Sequence, residues 1–170
     1  GALKSKAIDA TTSFFNIHHI FARELKDDMG FLAWKDAGIN PYGNSIIVNG
    51  EWLKANRDKA DKFVKITQKA FAECAKTPEP CVKALVEANS GLLYDNELVN
   101  WHLVSVLMND ETSRTAALGW HDDKRMAADY KLVDENLKIE KPYDIKTAYT
   151  IEFLDKRVNM PPLTHKEVHS

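Results

Sequence analysis

Between Asn40 and Asn49 the chain reads Asn-Pro-Tyr-Gly-Asn-Ser-Ile-Ile-Val-Asn, and no other stretch restricts the possible folds as much. Pro41 fixes its own φ, while Gly43 and Asn44 tolerate left-handed backbone, so the stretch is expected to open as a turn. It continues as Ile46-Ile47-Val48, a β-branched run closed by Asn49-Gly50, which is how a short strand covered on both faces reads. Before it, short apolar runs flank one helical segment; after it, almost everything carries helical period. A polar, aromatic-bearing turn between two differently patterned halves is a candidate hinge, and ligands favour such clefts.

On the N-terminal side, residues 7–12 (Ala-Ile-Asp-Ala-Thr-Thr) read as a short strand. Ser13 is placed to cap a helix running to about Lys26, with Phe14, Ile17, Phe21 and Leu25 on one stripe. Met29-Gly30 ends it, and residues 31–34 (Phe-Leu-Ala-Trp) form a second expected strand. This rhythm predicts a doubly wound α/β sheet, of which the chain supplies too few strands to protect the edges. On the C-terminal side, residues 50–55 predict one or two helical turns with Trp52 and Leu53 inward. Asn56 opens a long helix to about Ala75, with Ala60, Phe63, Val64, Thr67, Ala70, Phe71 and Cys74 on its apolar stripe. Further helices are predicted from Thr77-Pro78 to Asn89, from Asp95 through Met108, from Asp122 through Leu137, and from Thr147 to Arg157.

With 170 residues, 44% hydrophobic and 28% charged, the composition is that of a globular domain with a sizeable core. The formal net charge of −2 gives no basic field for nucleic acid, and no apolar run approaches a membrane span. Cys74 and Cys81 flank the corner Thr77-Pro78-Glu79-Pro80; either a disulfide across that corner or two buried thiols fits their placing. His18 and His19 diverge on a helix, and His165 and His169 have ligand spacing without a third partner, so no metal or other cofactor is expected. Asp27-Asp28 and Asp122-Asp123 read as helix-end carboxylates. No nucleophile, base and orienter assemble, and an enzyme is not supported. Residues 11–16, Thr-Thr-Ser-Phe-Phe-Asn, remain: free N–H groups and hydroxyls to hold a polar group, with Phe14 or Phe15 as a ring to stack on and His19 a turn further along. The competing reading makes both rings core and Ser13 only a cap.

Residues 6–10 followed by Ser13-Phe14-Phe15, then residues 40–48, resemble the periplasmic substrate-binding proteins of ABC importers. The branch they resemble groups thiamine-pyrimidine precursor and alkanesulfonate binders. Trp52-Leu53-x-Ala55-Asn56 and Ala148-Tyr149-Thr150-x-x-Phe153-Leu154 extend the similarity to about Asn159. The resemblance implies an α/β, periplasmic-binding-protein type II-like fold, seen here as its C-terminal half only. Residues 1–38 would end the second lobe, 39–45 would be the hinge, 46–159 a helical return into the first lobe, and 160–170 a tail. It also implies capture of a small planar or anionic solute, delivery to an ABC permease in the membrane, and a periplasmic location whose signal peptide is not in this chain. Ligand residues implied by position are Thr12, Ser13, Phe15, Asn16 and His19 on the second-lobe side, and Tyr42, Gly43 and Asn44 on the hinge. Where His19 stands, thiamine-precursor binders tend to carry an acid. The alternatives are a truncated fragment that no longer binds and forms a homodimer through an exposed sheet edge, and a relative of the fungal thiamine-pyrimidine synthases. The cysteine-rich signature of those synthases is absent, so their activity is not carried over.

Overall fold

The computed structural model describes residues 1–163, so His165 and His169 lie outside the described residues. In chain order the helices are α1 (His18–Leu25), α2 (Gly50–Ala55), α3 (Arg57–Lys76), α4 (Pro78–Ala88), α5 (Tyr94–Met108), α6 (Glu111–Thr115) and α7 (Asp123–Leu137). Single 3₁₀ turns cover Phe15–Ile17, Lys26–Asp28, Trp34–Ala37 and Ile145–Thr147.

Among the described residues there is no strand and no sheet, which overturns the α/β, type II-like expectation. The three expected strands are short, and a strand satisfies its N–H and C=O groups only beside another strand. Helices close their own hydrogen bonds, so the helical segments form regardless. Residues 7–12 and 31–33 lie without a ladder partner. Residues 40–49 contain no hydrogen-bonded turn or bend, and neither Gly43 nor Asn44 has positive φ, so neither the expected turn nor the expected strand forms there.

Contacts divide the chain into two compact units. The first comprises Gly1–Ala33, Glu73–Asn109 and residues 161–163. Its centre is α5, which packs against α4 on one side and against Phe15–Leu25 on another. Asn96 and Asn100, one helical turn apart, face the N-terminal segment: Arg23 Nη2 donates to Asn96 Oδ1 at 2.6 Å and Asn16 Nδ2 to Asn100 Oδ1 at 2.5 Å. Trp101 turns toward the end of α3, its Nε1 donating to the Cys74 carbonyl at 2.8 Å. Cys74 and Cys81 are joined by a disulfide, with Cα atoms 5.8 Å apart, fastening α4 to the end of α3. Val82, Leu103 and Ser105 are buried here.

The second unit comprises Trp34–Ala72 and Asp110–Met160. Asn49 Oδ1 accepts from the N–H groups of Glu51 and Trp52 and caps α2. Asn56 joins α2 to α3, its amide donating to the Trp52 carbonyl and its own carbonyl accepting from Lys59 and Ala60. The buried line of α3 in this unit is Ala60, Gln68 and Ala72, whereas Phe63 is 58% exposed and Phe71 also faces out. The predicted stripe is therefore rotated. What rotates it is Gln68, 5% exposed, whose Nε2 donates to the carbonyls of Leu118 and Asp155 at 3.0 Å while its Oε1 accepts from Asp155 N–H at 2.9 Å. A small-residue face lets two loops approach closely enough for that amide to bind both. Trp52, expected inward, is exposed as well.

The helix expected over 147–157 is replaced by a 3₁₀ turn and a series of tight turns. Side chains compete for its backbone: Thr150 Oγ1 accepts from Glu152 N–H, and Asp155 Oδ1 from Arg157 N–H. Beyond it, Leu118 N–H donates to the Val158 carbonyl and Met160 N–H to that of Ser113. Those bonds tie the last described turns to α6, whose start is a reciprocal cap between Asp110 and Ser113.

Candidate functional site

Two groups of residues, one in each unit, carry the polar and aromatic chemistry of the expected site. In the first unit, residues 10–14 approach the Phe15–Ile17 turn without regular structure, Phe14 being extended. Ser13 makes no cap: the residue at that position is Phe14, and it contributes no side-chain bond. Thr12 and Ser13 are exposed, and their hydroxyls donate to no group among the described residues. Phe14 is 69% exposed, whereas Phe15 is half-buried, its ring centre 4.8 Å from that of His18 and 5.9 Å from Phe31. The ring left open to solvent is thus Phe14, and Phe15 belongs to a small aromatic cluster completed by His18 stacked on Phe31 at 5.1 Å.

Histidine geometry follows from the same turn. A carbonyl can only accept, so the Nδ1–H of buried His18 donates to the Phe15 carbonyl and that of His19 to the Asn16 carbonyl. Burial pushes the His19 pKa below its ordinary 6.5, against the raising effect of the Asn16 carbonyl, and the Arg23 charge adds to the depression. Asn16 is tied to Asn100 as described, so of the five residues expected here Thr12 and Ser13 are exposed and unpaired, and Asn16 and His19 are engaged in the unit's own bonds.

In the second unit, Tyr42 is gripped from several sides. Its N–H donates to Asp129 Oδ2 at 3.2 Å, and its hydroxyl oxygen accepts from Asp122 N–H at 2.8 Å. The Arg125 guanidinium lies 4.1 Å from the ring centre, a cation–π arrangement, and donates to the carbonyls of Asn40 and Pro41. His121 meets the ring edge-on at 4.9 Å, and Tyr149 stands 5.7 Å beyond it. Tyr149 Oη donates to Asp123 Oδ1 at 2.7 Å, and Lys146 Nζ stands 3.5 Å from the same carboxylate. The bond to Asp123 pushes the Tyr149 pKa up to about 12 and holds Asp123 below the usual carboxylate range. Asp122, read as a helix-end residue, caps α7 through Arg125 N–H.

Beside this cluster runs an open groove of about 400 Å³, lined by Gly38, Asn40, Arg125, Asp129, Leu132 and Glu135 among others. Gly38, at φ +80°, closes the Trp34–Ala37 turn and forms one wall. Gly43 and Asn44 follow Tyr42 and are exposed. His121, Arg125 and Asp129 carry no signal in the sequence, and Tyr149 enters it only through the Ala148–Leu154 motif; all four stand some 80 to 107 positions beyond Tyr42, and no local spacing connects them to it. The one sequence signal was Asp122-Asp123, whose capping role starts α7 beside Tyr42.

His121 Nδ1 is buried without a hydrogen-bond partner, and burial lowers the His121 pKa from 6.5. The folded chain therefore takes up this proton less readily than the unfolded chain. Stability is complete above about pH 6.5 and falls as the pH drops from there toward the lowered folded value, with His19 acting in the same direction. The denaturant midpoint is expected to decrease between pH 7.5 and 5, and His121→Phe to remove part of that slope while keeping the ring packing. An unchanged slope in the variant would count against His121 as its source.

Residues 1–81, a little under half of the chain, match the family model described as NMT1/THI5 like. That stretch contains both the Lys6–Phe15 and the Asn40–Val48 segments on which the family resemblance rests, and the match supports the family without selecting a branch. No curated protein and no solved structure matches the chain.

Proposed function

We propose that this chain is part of a substrate-binding protein that captures a small, planar or anionic solute and feeds it to an ABC importer. The observation that carries the reading is the Thr12-Ser13-Phe14 segment. It holds two unpaired hydroxyls and an open aromatic ring, ahead of a turn whose leading N–H groups have no backbone acceptor, all within the stretch matching the family. Such a surface offers stacking to a flat ring and donors to its polar edge, and no covalent chemistry. Tyr42, Gly43 and Asn44 form a second candidate surface, with Arg125 as the nearby cation. Capture by a binding protein rather than turnover agrees with a family in which binding proteins predominate. The Cys74–Cys81 disulfide supports an oxidising compartment such as the periplasm.

Isothermal titration of the full-length gene product with pyrimidine precursors and with sulfonates tests this. Phe14→Ala is expected to weaken binding at least about tenfold, the loss of one stacking partner worth about 1.4 kcal/mol, with the melting temperature unchanged. Phe15→Ala is expected to lower stability instead, since its ring packs on His18 and Phe31. Equal affinity in the Phe14 variant removes the stacking role, and turnover of either solute class would favour the synthase relationship.

A further inference from the structure

The groove beside Tyr42 lies wholly within the second unit. Most of its wall comes from α7, where Arg125, Ala128, Asp129, Leu132 and Glu135 recur at helical spacing and share one side. The chain at Gly38 and Asn40 faces them. A volume of about 400 Å³ is at the small end of the sites that hold organic molecules.

Four charged side chains line this groove, and three of them are already matched. Arg125 Nη1 stands 3.7 Å from Asp110 Oδ2, and its other N–H groups reach the Asn40 and Pro41 carbonyls. Lys131 Nζ stands 3.6 Å from Glu135 Oε1. The fourth is Asp129, half-buried and without an ion pair among the described residues. Its one hydrogen bond there comes from a neutral group, the Tyr42 N–H, and goes to Oδ2. Oδ1 is left for an occupant of the groove. On the facing wall, Asn40 Oδ1 is 3.5 Å from Arg125 Nη2, too long for a firm bond, and is a second acceptor.

We infer that the groove binds a small organic cation, a primary amine with a short aliphatic body. The charge left unmatched in the lining is a single carboxylate, partly withdrawn from water, and an ammonium group is its complement. A primary amine is protonated at neutral pH and brings three N–H donors, for Asp129 Oδ1, Asn40 Oδ1 and water. Ala128 and Leu132 give its methylenes an apolar surface. An anion would meet the free carboxylate with Arg125 already engaged, and a neutral alcohol would leave that carboxylate unmatched. The groove is open and the ammonium keeps part of its water, so binding is weak, with a dissociation constant on the order of 1 mM.

Thr12, Ser13 and Phe14 belong to the first unit, so the test is independent of solute capture and needs no pyrimidine or sulfonate. Titration of the isotope-labelled full chain with n-butylammonium chloride, followed by amide chemical shifts, is expected to give saturable shifts at Tyr42 and over residues 128–132. n-Butanol and sodium butyrate, of the same length, are expected to give no saturable shift in that range. Asp129→Asn removes the charge and keeps an oxygen for the Tyr42 N–H; it is expected to weaken amine binding at least about tenfold. Lys131→Gln, at an exposed position, frees Glu135 from its ion pair and is expected to tighten amine binding about threefold. That variant decides the matter even where Asp129→Asn does not fold. A parent chain without saturable shifts overturns the proposal, as does butanol or butyrate binding as tightly as the amine. So does a folded Asp129→Asn variant with the parent's affinity, or a Lys131→Gln variant that binds the amine no more tightly than the parent.

Discussion

Gln68→Leu is expected to lower stability by about 3 kcal/mol, the largest loss anticipated from one side chain in this protein. The substitution keeps the volume roughly constant and removes an amide that serves two loops at once. It leaves the Leu118 carbonyl without an acceptor bond and strips Asp155 of both its N–H partner and one bond to its carbonyl. Orphaned buried backbone groups cost about 1–3 kcal/mol each, more than the transfer of a leucine side chain to this position returns. Leu118 is buried, so water does not take over its bond. Urea unfolding of parent and variant, followed by circular dichroism, measures the difference. Lys69→Met, one position along on the solvent face, is expected to stay within about 0.5 kcal/mol. A Gln68→Leu cost as small as the control's would mean that the 118 and 155 loops are held by something other than this amide.

Removing the Cys74–Cys81 bond is expected to cost about 2–3 kcal/mol, the chain-entropy value for so short a closed loop. The paired Cys74→Ala, Cys81→Ala variant reports it without exposing free thiols. The consequence is local at first, because the bond fixes the corner between α3 and α4 on which α5 leans. Trp101 is the natural reporter: it is the only tryptophan of the first unit, and its indole donates to the Cys74 carbonyl. A shift of its emission at denaturant concentrations below the main transition is expected in the variant and absent in the oxidised parent. Identical unfolding curves for the two would show that helix packing alone holds the corner.

Asn56 and the long helix after it, Pro78 in the first turn of α4, and the Asp122 start of α7 were legible from capping residues and spacing, because a helix is decided largely within its own turns. Which face of α3 is inside was not legible. Periodicity ranks Phe63 and Phe71 above Gln68, yet the phenyl rings are exposed and the amide is buried, since its bonds go to residues 50 to 90 positions away. The same distance hid His121, Arg125, Asp129 and Tyr149 from any reading of the Tyr42 neighbourhood. In the N-terminal segment Thr12, Ser13 and the two phenylalanines are neighbours in the sequence itself. Only the structure separates the open ring of Phe14 from the packed ring of Phe15.

By itself the sequence determined where the chain is helical over most of its length, where those helices begin, and which short runs have the chemistry of strands. Tertiary structure alone decided that no sheet forms among the described residues, that Ile46–Val48 lies exposed without a ladder partner, and that a glutamine rather than a phenylalanine holds the loops of the second unit. The division follows from where hydrogen bonds are closed. A helix satisfies its backbone within four residues, whereas a strand, a buried amide and an aromatic cluster are completed only by groups far away in the chain.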